Sequence, residues 1–63
     1  MTNEMKINLI KHTIETLKEL KESADKESSA WLNAHLLELS NYYEGKAKAF
    51  GFVIECLERD LED

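Results

Sequence analysis

The first third of the chain carries apolar side chains at the spacing of one helix face. Its isoleucines and leucines repeat at intervals of three and four residues, at Ile7, Ile10, Ile14 and Leu17. This is the period of an amphipathic α-helix. Apolar residues then become sparse, and residues 23–28 are almost entirely polar. We therefore predict a first helix over residues 3–22 and a turn over residues 23–28.

The second half of the chain keeps a helical period over a longer distance. Apolar residues recur from Leu32 to Leu57. Their positions lie one residue later than those obtained by continuing the apolar spacing of the first helix along the chain. A single straight helix would have to rotate its apolar face by about 100° at the polar run, so the pattern favours a hairpin over one long helix. We predict a second helix over residues 29–61 that continues through Gly45 and Gly51. The alternative is that Gly45 ends a helix and the chain forms three.

The two predicted helices differ in length, so the first cannot cover the second. They would span about 30 Å and about 50 Å, and the uncovered end of the second is apolar on nearly every side. A second copy of the chain is the simplest source of cover. We predict an all-α protein of one domain (residues 1–63), a two-helix hairpin completed by homodimerisation into a four-helix arrangement. The expected dimer interface consists of Ala47, Phe50, Gly51, Val53, Ile54, Leu57 and Leu61.

Aromatic and acidic side chains of the second half are candidates for contact with a further protein. Aromatic rings are enriched at interfaces, although an apolar stripe is more often core. Residues 1–23 are neutral overall, so the net charge of −5 belongs to the rest of the chain. Those acids form either a solvated face or a contact surface for a basic partner. The candidate partner-binding residues are Trp31, His35, Tyr42, Phe52, Glu55, Glu58 and Glu62.

Composition argues against several classes of function. Thirteen acidic against eight basic residues disfavour direct nucleic-acid binding, which depends on neutralising phosphates. The longest apolar run, residues 49–54, is far shorter than the ~20 residues of a membrane span. A single cysteine cannot form an internal disulfide, and the start of the chain does not read as a signal peptide. We expect a cytoplasmic protein that binds no membrane.

The chain lacks the motifs of known catalytic and metal chemistry. It has no glycine-rich phosphate loop, no nucleophile elbow and no Cys-x-x-Cys. His12 and His35 lie far apart, without the spacing of metal ligands, and Cys56 lies within an apolar run where it reads as a small hydrophobic residue. We predict no enzymatic activity, no cofactor and no metal.

By elimination, the sequence predicts a small acidic interaction module. We expect it to bind and regulate, by inhibition, a larger protein, as small regulators of bacteria and their phages do. Two alternatives stay open. The first is an acidic mimic of nucleic acid or an accessory subunit of a transcription factor, whose complex would weaken steeply with salt. The second is a structural or assembly subunit, which would form open-ended oligomers.

Overall fold

The fold is an antiparallel hairpin of two α-helices. The computed structural model describes residues 3–62, in which α1 spans Asn3–Asn33 and α2 spans Leu37–Glu62. The expectation of an all-α hairpin is confirmed. The molecule measures 49 × 15 × 14 Å, with a radius of gyration of 14.7 Å against about 11 Å for a compact chain of this length. It is therefore a rod with a large surface for its mass.

One seam of side chains holds the helices together. Its members are buried or half-buried and recur every three or four residues, the spacing of coiled-coil packing. Four hydrophobic residues along it, two from each helix, are buried, with at most 6% of their surface exposed. The seam consists of Ile10, Ile14, Leu17, Lys21, Ala24, Ser28 and Trp31 from α1, and Ser40, Tyr43, Ala47, Phe50, Ile54, Leu57 and Leu61 from α2.

The boundaries expected for the helices are wrong, because α1 continues through residues 23–28. Ala24 is buried and Ser28 is half-buried in that stretch, so the seam of α1 keeps its phase across the polar run. Ion pairs one helical turn apart add modest support; they are Lys21–Asp25 at 3.0 Å and Lys26–Glu22 at 3.4 Å. The phase shift seen in the sequence is real, but it occurs at residues 34–36.

The turn is closed by backbone hydrogen bonds rather than by glycine or proline. The Leu36 N–H donates to the Trp31 carbonyl at 2.9 Å, and the His35 N–H donates to the Leu32 carbonyl at 3.0 Å. These two bonds define a Schellman motif, in which the residue after the C-cap adopts the left-handed conformation. His35 occupies that position with φ of 62°. Glycine usually holds it, so the sequence carries no ordinary signal for the turn.

The length argument for a dimer is also wrong. The helices have 31 and 26 residues, so α1 is the longer and it covers α2 along the whole seam. The second helix does run without interruption through Gly45 and Gly51, as its apolar period indicates. Any case for self-association must therefore rest on the surface that the hairpin leaves exposed.

Candidate interaction surfaces

Three exposed leucines surround the turn. Leu32, Leu36 and Leu37 are 52%, 47% and 60% exposed, and we call them the leucine tip. A shallow recess beside them is lined by His35, Leu36, Leu37, Glu38 and Leu39. Single exposed leucines are ordinary on a protein surface, whereas a cluster of them marks a contact site.

Local stability does not explain two residues of this turn. His35 takes a left-handed conformation that strains a residue with a Cβ. Leu36 is the N-cap of α2, since its carbonyl accepts the first helical bond from the Ser40 N–H at 3.1 Å. That position favours Ser, Thr, Asp or Asn, and leucine caps poorly. Departures of this kind from local preference tend to occur at functional sites.

The tip was missed in the sequence because its leucines were assigned to a helix interior. Leu32 and Leu36 fall on the apolar period that predicts the second helix. The only available signal was the run Leu36–Leu37 followed by Leu39, which is more apolar than an amphipathic helix needs. Without the position of the turn, that run is indistinguishable from core.

Most residues expected at a dimer interface lie instead between the two helices of one chain. Ala47 and Ile54 are buried there, at 3% and 6% exposure. A Cβ placed on Gly51 would lie 3.3 Å from the Lys21 Cε, so this glycine also faces α1. Phe50, Leu57 and Leu61 are half-buried along the same seam, and only Val53 is exposed. A partner copy would have to contact other side chains.

The structure does not bring the expected partner-binding residues onto one surface. Trp31 is half-buried at the end of α1, with its indole N–H covered and without a hydrogen-bond partner. His35 is in the turn, while Phe52 lies far along α2 and is 68% exposed. Tyr42 is exposed and stacks edge-on against Tyr43, with 5.1 Å between ring centroids.

The acidic candidates lie together near the open end of the hairpin. Glu55, Glu58 and Glu62 line one shallow concavity with Arg59. Glu58 also lies 3.9 Å from the Lys18 ammonium group of α1, with both side chains exposed. Exposed pairs of this kind contribute little to stability. The carboxylates therefore form a solvated surface about 20 residues along α2 from the leucine tip.

The two broad sides of the hairpin differ in charge. One side carries the Lys18–Glu58 pair. Helical spacing places nine further charges on that same side. We call it the charged face, and its charged members are Glu4, Lys11, Glu15, Lys18, Glu22, Asp25, Glu44, Lys48, Glu55, Glu58 and Glu62.

The opposite side is largely uncharged. A groove shared by Leu20 and Phe50 fixes its position, and residues three, four and seven apart in each helix extend it. We call this side the apolar face. Its uncharged members are Leu9, Thr13, Thr16, Leu20, Ser23 and Ala30 from α1, and Leu39, Tyr42, Ala49, Val53 and Cys56 from α2.

Fold and surface thus define a helical hairpin whose distinguishing features are exposed apolar patches. Between Asn3 and Glu62, no cluster of three or more His, Cys, Asp or Glu side chains is arranged to bind a metal ion. In the same stretch, neither helix contains a segment long and apolar enough to cross a bilayer. No protein-family model, curated protein or solved structure matches the chain.

Proposed function

We propose that this chain is a non-catalytic interaction module that binds a larger protein through the leucine tip and regulates it, most directly by blocking the surface it occupies. One observation carries the proposal: the turn keeps His35 and Leu36 where other residues would be more stable, and it exposes Leu36 together with Leu32 and Leu37. Binding energy at interfaces is concentrated in a few apolar anchors of this kind. We further propose that the module acts as a homodimer in the cytoplasm, where its single cysteine stays reduced.

Charge indicates the chemistry of the partner. Between Lys26 and Lys46 the chain contains Glu27, Glu38 and Glu44 but no lysine or arginine. The apolar tip is therefore surrounded by negative charge. Its complement is a hydrophobic pocket with lysine or arginine at the rim, since complementary potentials favour encounter and specificity.

Capture with matched variants tests this proposal. The tip variant Leu32→Gln/Leu37→Gln is compared with Met5→Gln/Phe52→Gln, which also replaces two exposed apolar side chains but at positions outside the leucine tip and the apolar face. Each tagged protein is incubated with a lysate of the cells that carry the sequence, and bound proteins are quantified by mass spectrometry. We expect one protein to be enriched by the wild type and by the control, and lost with the tip variant.

Affinity for that purified protein then decides between the hypotheses. We expect the tip variant to weaken binding at least about 10-fold, which is about 1.4 kcal/mol, while circular dichroism shows unchanged helicity. Equal binding by both variants would exclude the tip. If binding instead weakens steeply as the salt concentration rises, and Glu55→Gln/Glu62→Gln no longer binds, the result would support the hypothesis of an acidic nucleic-acid mimic.

A further inference from the structure

We propose that the apolar face is the surface through which two copies of this chain associate, and that the dimer is a four-helix bundle closed by this face. The inference rests on the proposed homodimer and names the side chains that form it. Apart from Val53, they differ from the set expected from the sequence, because α1 already covers the seam of α2.

The hairpin exposes more surface than a compact monomer of its mass, and the excess is about what one partner buries in a standard interface. The hairpin exposes 5065 Å², whereas a compact monomer of 7.3 kDa exposes about 4200 Å². The excess of about 900 Å² is close to the roughly 800 Å² that each partner buries in a standard interface. A copy seated on one broad side would therefore restore an ordinary ratio of surface to mass.

The two threonines of the apolar face have hydroxyl groups that are already hydrogen-bonded within their own helix. Thr13 Oγ1 donates to the Leu9 carbonyl at 2.9 Å, and Thr16 Oγ1 donates to the His12 carbonyl at 3.1 Å. Each threonine then presents its methyl group outward, with its polar hydrogen already satisfied inside its own helix. Burial of these side chains leaves no donor without a partner, so it avoids the main cost of placing polar groups in an interface.

The few charges of the apolar face alternate in sign. Lys6 of α1 and Asp60 of α2 line one recess at the open end, and Glu27 of α1 and Lys46 of α2 line one groove toward the turn. If the twofold axis of the dimer runs parallel to the helices, α1 lies over the partner's α2. If the axis lies in the plane of the interface and runs perpendicular to the helices, α1 lies over the partner's α1. Either rotation sets each cation opposite an anion. The face is therefore electrostatically complementary to itself, as an isologous interface requires.

The charged face is a poor alternative. Its glutamates outnumber its lysines, so pairing two copies there would bring like charges together and desolvate them. Phe52 projects from neither broad side and is the most exposed large hydrophobic residue described. It gives a matched control, because a charge at this position should leave the bundle intact.

The test measures absolute mass by light scattering across a wide range of concentration. We expect the wild type to have twice the mass of one chain. Leu20→Glu/Val53→Glu places unpaired carboxylates in the proposed interface, so we expect its dissociation constant to rise at least about 100-fold. Phe52→Glu should remain dimeric. A wild type that is monomeric throughout would refute the homodimer itself, whereas a dimer broken by Phe52→Glu and not by Leu20→Glu/Val53→Glu would refute only the assigned face.

A second measurement follows a side chain of the apolar face in the wild-type protein. Cys56 belongs to the apolar face and is half-exposed in the single chain. We expect its reaction with a thiol reagent to slow at least about 10-fold as the wild-type concentration rises through the dissociation constant. The control, Lys48→Cys/Cys56→Ser, carries its thiol on the charged face and should react at one rate at all concentrations. Concentration-independent reaction of Cys56 in a protein shown to be dimeric would overturn the inference.

Discussion

Ser28 and Ser40 form reciprocal hydrogen bonds across the two helices near the turn. The Ser28 hydroxyl donates to the Ser40 carbonyl at 3.0 Å, and the Ser40 hydroxyl donates to the Ser28 carbonyl at 2.9 Å. Ser40 is buried, and the two hydroxyl oxygens are 3.2 Å apart. Two small polar residues thus hold the helices together where larger apolar side chains would separate them.

Removal of one of these hydroxyl groups should destabilise the hairpin. We expect Ser40→Ala to lower the free energy of unfolding by about 1–2 kcal/mol, the usual cost of losing a buried hydrogen bond. Ser29→Ala changes an exposed neighbour and should stay within about 0.5 kcal/mol of the wild type. Urea denaturation followed by circular dichroism, at one fixed protein concentration, measures both. If the bonds act as a unit, Ser28→Ala/Ser40→Ala will cost less than the sum of the single changes.

Replacement of His35 by glycine should stabilise the protein. Its φ of 62° places the Cβ against the following carbonyl, and glycine removes that strain, which costs roughly 1 kcal/mol. His35→Ala keeps the Cβ and should give no comparable gain. Thermal unfolding of both variants checks the prediction, and equal melting temperatures would show that the turn is not strained. A gain in stability combined with weaker partner binding would assign the histidine to the contact surface.

The two glycines of α2 should respond differently to alanine. A Cβ on Gly45 would meet nothing within 4 Å, so Gly45→Ala should stabilise the helix by about 0.5–1 kcal/mol through its reduced backbone freedom in the unfolded chain. At Gly51 the new methyl group would lie 3.3 Å from the Lys21 Cε, and the lysine stem would have to move. We expect a smaller gain from Gly51→Ala. The order of the two melting temperatures tests this, and the reverse order would contradict it.

The small core should make its central residues costly to change. Ile54 is 6% exposed, and Ile54→Ala should lower the free energy of unfolding by about 2–5 kcal/mol, a large fraction of the total for a small domain. Phe52→Ala removes a larger side chain from an exposed position, so we expect a change of under about 0.5 kcal/mol. Chemical denaturation of both proteins makes the comparison. A greater loss from Phe52→Ala would mean that this ring is covered in the native assembly.

Much of the fold was accessible from the sequence, and the position of the turn was not. The seam of α1 was recognised at Ile10, Ile14 and Leu17, and the phase shift along the chain correctly required two helices. The predicted turn includes Ser28 because it ends a polar run, yet this residue lies in the seam and bonds to Ser40. Local preference misleads here because a tertiary contact outweighs it.

The candidate surfaces were less accessible, for a related reason. The predicted second helix contains both Trp31 and Phe52, but the turn lies between these residues in the chain. Moving the turn from residues 23–28 to residues 34–36 transfers Trp31 from α2 to α1, and it leaves Leu32, Leu36 and Leu37 exposed around the turn. An error in the position of the turn also changes the predicted surfaces, because the side of a helix on which a residue lies depends on which helix contains it.

By itself, the amino-acid sequence determined that the chain is helical, acidic and folded back on itself, since composition and the 3.6-residue period are properties of the local chain. Only the tertiary structure decided which apolar residues form the core and which remain exposed. The reason is that the chain contains more apolar helical positions than one helix–helix contact can bury. The position of the turn selects among them: it places Ile54 inside and leaves the leucine tip and the apolar face uncovered.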